Sequence, residues 1–425
     1  MKPVALLVQD LGFGDAGKGS TVDALARRYQ AHTVVRFCGG CQAAHNVVLP
    51  DGTHHTFAQF SSGFFAGART YLSEFMLVEP LAFLNEAAHL KKLGYTKPGK
   101  AVFVNRNAPI TTPFHIVANR LRETERGKDR NGSCGMGIGE TVQDQLDGLS
   151  LTAGDLLAPR LSVEKLQAIK ARKLEQFGVD FGINLNEFLP RYAEFAQSVN
   201  IVSSDFFQSV SQTGVVIFEG AQGVLLDEWH GFHPYTTWST TTFENAQAVL
   251  KDYNGEIVRL GLLRSHMIRH GPGPLPTEDT EVRKQIVEQH NKFGEWQREV
   301  RFGWIDLQLI DYALQAVGGV DFLGLTHLDQ VPLSDGLLRL CNGYDSYAPK
   351  VLFSEKNSNR LLRQGEMTAE LFKARPCYSD YKIKLNPERD LRIALQDQLG
   401  IPVGVSSTGA TFVGKSYSAD FNSRV

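Results

Sequence analysis

The chain has 425 residues and a formal net charge of −2, with 44 Lys and Arg against 46 Asp and Glu. Its charges are scattered, with no polybasic segment and no apolar run of about 18 residues, so we expect neither a nucleic-acid partner nor a membrane-spanning helix. Five cysteines are more typical of a reduced cytosolic protein than of a disulfide scaffold. We therefore expect a cytoplasmic protein whose partners are small molecules.

Short β-rich runs alternate with helical patterns along the chain, which is typical of an α/β protein with a mostly parallel central sheet flanked by helices. The predicted strands are Val4 to Val8, Thr33 to Arg36, Val102 to Asn105, Val215 to Glu219, Phe322 to Leu325 and Val403 to Val405. Residues 162–210 are predicted to be helical, with core contacts from Leu166, Ile169, Leu174, Phe177, Phe188, Tyr192 and Phe195. We expect one elaborated domain over residues 1–425, with a helical insertion at about 110–210.

The first predicted strand runs into a glycine-rich loop. Gly12, Gly17 and Lys18 match the phosphate-binding pattern G-x-x-x-x-G-K-[ST]. Gly19 stands where that pattern has a Ser or Thr that binds Mg²⁺. The loop also carries Asp15, a carboxylate that repels phosphates unless it holds a metal or takes up a proton. The loop therefore predicts a P-loop-like fold and phosphate chemistry in which Asp15 takes part.

Five further segments follow this loop. They are RFCGGCQAAHNVV from Arg36, EGAQGVLLDEWHGFHPYTTWSTTT from Glu219, RHGPGPLPTE from Arg269, FGWID from Phe302, and LTHLD from Leu325 followed by VSSTG from Val405. In this order and at these separations, the segments resemble the adenylosuccinate synthetases of purine biosynthesis over nearly the whole chain. The resemblance implies a carbon–nitrogen ligase that moves the γ-phosphoryl group of GTP to the purine O6 of IMP. The amino group of aspartate then displaces that phosphate. The resemblance also implies Mg²⁺ as cofactor and a homodimer.

Positions that match the family motifs have implied roles. Asp15 would take the purine N1 proton and bind Mg²⁺ together with the backbone carbonyl of Ala44. A protonated His45 would hydrogen-bond the transferring phosphoryl group, and Asp329 would accept from the guanine N1 and N2 hydrogens. The implied GTP and phosphate contacts are Gly14, Gly17, Lys18, Gly19, His327, Asp329, Ser407, Thr408 and Gly409. The implied contacts to the substrate nucleotide are Gln42, Cys134, Gln222 and Thr237.

The chain departs from the family pattern at several positions. Ala16 replaces a Glu, and SCGMGIGE from Ser133 replaces the familiar TTGRGIGP. An arginine that the family sends across its dimer interface aligns near Gly148. The arginine-rich loop that grasps aspartate is EWQREVR in this chain, which leaves Arg298 and Arg301 as candidate contacts to the amine donor. Because this loop is changed, the identity of the amine donor stays open at this point.

Three functions are compatible with the sequence. The first is an adenylosuccinate synthetase that acts on IMP, GTP and aspartate. The second is a paralogous ligase that acts on another oxopurine nucleotide or uses another amine donor. The third is a nucleotide-binding protein without turnover. The changed loop separates the first two, and the retained Asp15, Lys18 and His45 argue against the third, because a pure binder has no need of a base and an acid beside a phosphate.

Overall fold

The structure is a computed structural model that describes residues 2–288, 296 and 299–425. The strands in chain order are β1 (Val4–Asp10), β2 (Thr33–Arg36), β3 (His45–Val48), β4 (His54–Phe57), β5 (Arg69–Leu72), β6 (Val102–Asn105), β7 (Asn200–Val202), β8 (Val215–Glu219), β9 (Glu256–Arg264), β10 (Met267–His270), β11 (Val300–Gly303), β12 (Ile305–Asp306), β13 (Phe322–Thr326), β14 (Leu337–Tyr344), β15 (Pro376–Lys382), β16 (Val403–Ser407) and β17 (Lys415–Tyr417). The helices are α1 (Lys18–Arg28), α2 (Pro80–Lys92), α3 (Pro113–Arg126), α4 (Ile138–Leu146), α5 (Pro159–Phe177), α6 (Leu185–Ser198), α7 (Asp205–Val210), α8 (Glu244–Val249), α9 (Thr280–Gln285), α10 (Leu307–Ala316), α11 (Ser358–Leu371), α12 (Pro387–Leu399) and α13 (Ala419–Arg424).

Ten strands form one large sheet in the order β17-β16-β13-β9-β1-β8-β2-β5-β6-β7. Every neighbouring pair is parallel except the edge pair of β16 and β17. All seven residues of the central strand β1 are buried, because apolar clusters cover both of its faces. The predicted α/β class with a mostly parallel sheet is therefore confirmed.

Three predicted strands have the predicted bounds, namely β2, β6 and β8, and β1, β13 and β16 each extend further at the carboxyl end. The prediction omitted β9, which pairs with β1 and β13 in the middle of the sheet. Arg259 and Gly261 interrupt the apolar run of β9, so its sequence does not resemble a fully buried strand. No helix in the described ranges is long and apolar enough to cross a membrane.

The predicted helical region contains α5, α6 and α7, with the short strand β7 between the last two. One predicted core residue is wrong, since the side chain of Leu174 is 43% exposed. Its neighbour Lys173 is buried instead, because the ammonium group forms ion pairs with Glu140 (3.1 Å) and Asp144 (2.8 Å). A buried cation is accommodated only where such partners exist. The single domain with an insertion at about 110–210 stays a prediction.

The sheet brings distant loops to one edge. Strands β16, β13, β9, β1, β8 and β2 are consecutive neighbours, and the parallel strands end on the same side. Open α/β sheets bind ligands outside the carboxyl ends of their strands. The loops that follow these six strands are therefore the first place to look for a functional site.

Candidate functional site

A cavity of about 1170 Å³ lies at this carboxyl edge of the sheet. Fifteen of the predicted site residues lie on its wall: Gly14, Asp15, Gly17, Lys18, Gly19, Gln42, Ala44, His45, Cys134, Gln222, Thr237, His327, Asp329, Ser407 and Gly409. These residues come from loops after five different strands of the sheet and from the segment before α4. Two predicted contacts lie elsewhere: Thr408, whose amide and hydroxyl donate to Gly414 O, and Arg301. Arg298 lies outside the described residues.

The glycine-rich loop folds around Asp10, the last residue of β1. The buried Asp10 carboxylate accepts hydrogen bonds from the backbone N–H groups of Gly12 (2.7 Å) and Ala16 (2.8 Å). It also accepts from the ammonium group of Lys18 at 3.2 Å. Lys18 donates a second bond to the carbonyl of Gln222 (2.5 Å), so its head is fixed in place. The sequence interpretation missed Asp10, although an acidic residue at the end of an apolar run was a visible signal.

Gly19 is explained by a close contact between α1 and β3. A Cβ atom at position 19 would lie 2.7 Å from the carbonyl oxygen of Asn46, which is inside the contact distance of real side chains. A Ser or Thr therefore does not fit at this position. Any metal in the cavity must take its protein ligands from other residues.

Asp15 is ionised in this site. It adopts a left-handed backbone conformation with φ of 61°, and its carboxylate accepts a hydrogen bond from His270 Nε2 at 2.7 Å. Burial raises the pKa of Asp15, but the hydrogen bond and charge of His270, with the charges of Arg264 and Lys18, outweigh it and hold the pKa below its usual range. The sequence interpretation quoted His270 within the RHGPGPLPTE segment but gave it no role, because only the fold places it beside Asp15.

The donor set suits Mg²⁺. The ionised Asp15 carboxylate and the carbonyl of Ala44, an exposed residue, offer hard oxygen atoms on the same wall. Within the described part of the chain, no cluster of three or more His, Cys, Asp or Glu could hold a metal alone. Mg²⁺ commonly binds through one or two protein oxygens plus substrate phosphates and water. The residues present therefore fit a metal that arrives with the nucleotide.

His45 is oriented by a buried carboxylate. Its Nδ1 lies 2.6 Å from Glu219 Oε1, and Glu219 also accepts from the backbone N–H of Ser62 (3.0 Å) and from the Ser62 hydroxyl. Burial raises the pKa of Glu219, but His45, Arg36 and Ser62 lower it to about 2. Burial lowers the pKa of His45, although the Glu219 charge opposes this shift. An ionised Glu219 thus holds the Nδ1 side of the ring.

Acid should lower the free energy of unfolding through protonation of Glu219. The pKa of its carboxyl group is about 2 in the native state against 4.5 ordinarily, so the unfolded chain binds more protons between these values. The stabilisation is present above pH 4.5 and is lost as the pH falls toward 2. We expect Glu219→Gln to remove this contribution, on the order of 3 kcal/mol. Urea unfolding of the wild type and of Glu219→Gln from about pH 7 to about pH 3 measures this contribution. If the difference in unfolding free energy between the two proteins did not shrink below pH 4.5, the result would contradict an ionised Glu219 carboxylate.

Two amide side chains on the wall have polar atoms without a hydrogen-bond partner in the protein. These are both polar atoms of the Gln42 amide and the Gln222 Oε1 atom, all of them buried. Unpaired buried polar atoms are costly, and a ligand in the cavity that bonds to them would remove that cost. Burial raises the pKa of the nearby Cys134 thiol to about 11, so this cysteine is a neutral wall residue rather than a nucleophile.

Arg301 does not reach the cavity wall. Its guanidinium group donates to the carbonyls of Gly271 (3.1 Å) and Gly273 (2.7 Å) and pairs with Glu278 at 2.8 Å. Because the loop that it holds follows His270, Arg301 shapes the wall beside Asp15. A contact between Arg301 and the amine donor stays a prediction.

Comparisons with known proteins agree with one another. The family model described as adenylosuccinate synthetase matches residues 7–382. An adenylosuccinate synthetase of Chlorobium luteolum is 32% identical over 347 residues, 78% of each chain. An adenylosuccinate synthetase of Chlorobium phaeobacteroides is 29% identical over 425 residues, 96% of each chain. The solved structure of fully ligated adenylosuccinate synthetase from Plasmodium falciparum has a TM-score of 0.82 at 19% identity, covering 98% of this chain and 100% of that chain, which shows a shared fold.

Proposed function

This chain belongs to the adenylosuccinate synthetase family, and on that premise we propose how its residues carry out the reaction. The protein is a GTP-dependent carbon–nitrogen ligase that joins IMP and aspartate. The family assignment favours this reaction over a ligase with another substrate and over a protein without turnover. The observation that carries the proposal is the meeting of an ionised Asp15 and an oriented His45 on one wall, beside the phosphate-type loop.

In the first step, Asp15 accepts the proton from N1 of IMP. The loss of this proton places negative charge on O6, and O6 then attacks the γ-phosphorus of GTP while GDP leaves. An ionised carboxylate is ready to accept a proton. His270 donates to this carboxylate, and Arg264 donates to the backbone carbonyl of Asp15, so the side chain and the loop are both held in place. Asp15 and the Ala44 carbonyl would hold Mg²⁺, which supplies charge neutralisation among the phosphates when bound.

His45 assists the same transfer through Nε2, because Glu219 occupies Nδ1. Bound phosphates favour the protonated form of a neighbouring imidazole, so the nucleotide raises the pKa that burial has lowered. Protonated His45 then donates to the transferring phosphoryl group and stabilises its developing charge. In the second step, the amino group of aspartate attacks C6 of the purine, and the phosphate group leaves from C6.

The remaining wall residues bind the two nucleotides. We propose that the GTP phosphates contact Lys18, Gly14, Gly17 and Gly19. The Asp329 carboxylate accepts hydrogen bonds from guanine N1 and N2, in a pocket that also contains His327, Ser407 and Gly409. Gln42, Cys134, Gln222 and Thr237 contact IMP. The unpaired amide atoms of the two glutamines support this assignment. By resemblance to the family we also propose a cytoplasmic homodimer.

Mass spectrometry of the products tests the proposed function. Purified protein with IMP, GTP, aspartate and Mg²⁺ should form the aspartate adduct of IMP and release phosphate, with turnover on the order of 1 to 10 per second. Omission of IMP should suppress phosphate release. A panel with glutamate, asparagine and glycine in place of aspartate provides the specificity control. If another amine were incorporated and aspartate were not, the proposed amine donor would be refuted.

A further inference from the structure

The turn at residues 407–411 is built around the ammonium group of Lys415. The Lys415 Nζ atom donates to the Ser407 hydroxyl at 2.7 Å, to Gly409 O at 2.8 Å and to Thr411 O at 3.2 Å. A lysine ammonium has three N–H donors. All three N–H donors are thus directed into one five-residue turn. No sequence motif indicated this role of Lys415.

The position of Lys415 follows from strand pairing. Lys415 is the first residue of the edge strand β17 and lies opposite Ser407 in the antiparallel pair with β16. The turn between these strands contributes Ser407, Gly409 and Ala410 to the wall that also contains Asp329. The lysine therefore lies behind the wall at the place where the GTP base is proposed to bind.

Lys415 is charged at neutral pH in spite of its surroundings. Burial lowers its pKa to about 8, and the charges of Asp329 and Asp23 oppose this shift. A buried ammonium is expensive unless it is paired and hydrogen-bonded. The three acceptors in the turn supply the hydrogen bonds, and the negative charge of Asp329 favours the ammonium form.

We propose that Lys415 is a positioning residue that preorganises the guanine pocket by fixing the 407–411 turn. This inference rests on the proposed function, in which GTP is the phosphoryl donor. The Ser407 hydroxyl also donates to Gly409 O at 3.2 Å, Thr408 N donates to Gly414 O at 3.0 Å, and Arg27 lies 4.6 Å from the Phe412 ring centroid. Of these contacts, those of Lys415 are the ones that reach both Gly409 O and Thr411 O.

Lys415→Met tests the inference because it keeps the aliphatic stem and removes all three donors. We expect KM for GTP to rise about tenfold or more with kcat little changed, since loss of a binding contact shared by ground and transition states raises KM alone. The preference for GTP over ITP, which lacks the N2 amino group, should fall in parallel. Ser416→Ala, a change of the exposed neighbour on β17, is the matched control and should leave KM for GTP and the preference unchanged.

Asp329→Asn separates failure of the proposed role of Lys415 from failure of the proposed guanine pocket. If Asp329→Asn lowers the preference for GTP over ITP and Lys415→Met changes neither KM nor preference, the role of Lys415 is refuted and the proposed function stands. If neither variant changes the preference, the guanine pocket itself is refuted. Should Lys415→Met fail to fold, Lys415→Gln, which retains one donor group, is measured in its place, and wild-type values for it would also refute the inference.

Discussion

Asp15→Asn should lower kcat by about 10²- to 10⁴-fold, the contribution typical of a positioned general base. Asparagine is nearly isosteric with aspartate and tolerates the left-handed backbone at φ of 61°. The substitution therefore removes the charge and the proton-accepting capacity without strain, which alanine at this position would not ensure. KM for IMP should change less than kcat, because proton transfer contributes in the transition state rather than in binding.

Single-turnover measurement of GDP formation from GTP and IMP isolates this effect. Asp335→Asn is a matched control, because Asp335 also has a positive φ (49°) and is exposed to solvent. It should retain the wild-type rate. A similar rate for Asp15→Asn and wild type would exclude Asp15 as the base, whatever its contribution to nucleotide binding.

His45→Ala should lower kcat by about 10²- to 10³-fold, the usual cost of removing one preorganised donor to a developing charge. The effect is expected on phosphoryl transfer, since the Nε2 side of the ring is the one that Glu219 leaves available. Glu219→Gln should produce a smaller loss, because the imidazole remains but its orientation and protonation are no longer supported.

The pH dependence distinguishes this role from a structural one. In wild type, kcat for GDP formation should fall at high pH as His45 loses its proton in the nucleotide complex, and His45→Ala should lack that limb. His54→Ala is the control on the same hairpin, where His54 Nε2 contacts Asn46 Oδ1 at 2.9 Å. It should keep both the rate and the pH profile. An identical profile in wild type and His45→Ala would contradict the proposed donor.

Much of the fold could be predicted, because its signals are local. The apolar runs of β1, β2, β6, β8, β13 and β16 are visible in the sequence, and buried parallel strands are rich in such residues. Strand β9 was missed because Arg259 and Gly261 break its pattern, and only its two neighbours in the sheet identify it. Leu174 was expected in the core, but its neighbour Lys173 is buried instead, because two carboxylates on α4 bind the lysine.

The candidate site was predictable where a motif or a family resemblance marked a residue. Asp15, Lys18, His45 and Asp329 were found in this way, and the fold brings them to one cavity wall. Their supporting partners lie in quoted segments, but nothing in the sequence showed which residues they support. Glu219 is 174 positions from His45 in the chain, and His270 is 255 positions from Asp15.

The sequence by itself determined the fold class, the family and the residue types of the chemistry, because strand patterns, glycine-rich turns and motif order are properties of short segments. The tertiary structure alone decided how those residues are held. Asp10 anchors the first loop, a close backbone contact excludes a hydroxyl at Gly19, and Arg301 donates to the loop that follows His270. Lys415 fills a turn whose acceptors no local pattern reveals. These features depend on contacts between segments far apart in the chain, and such contacts exist only once the sheet has formed.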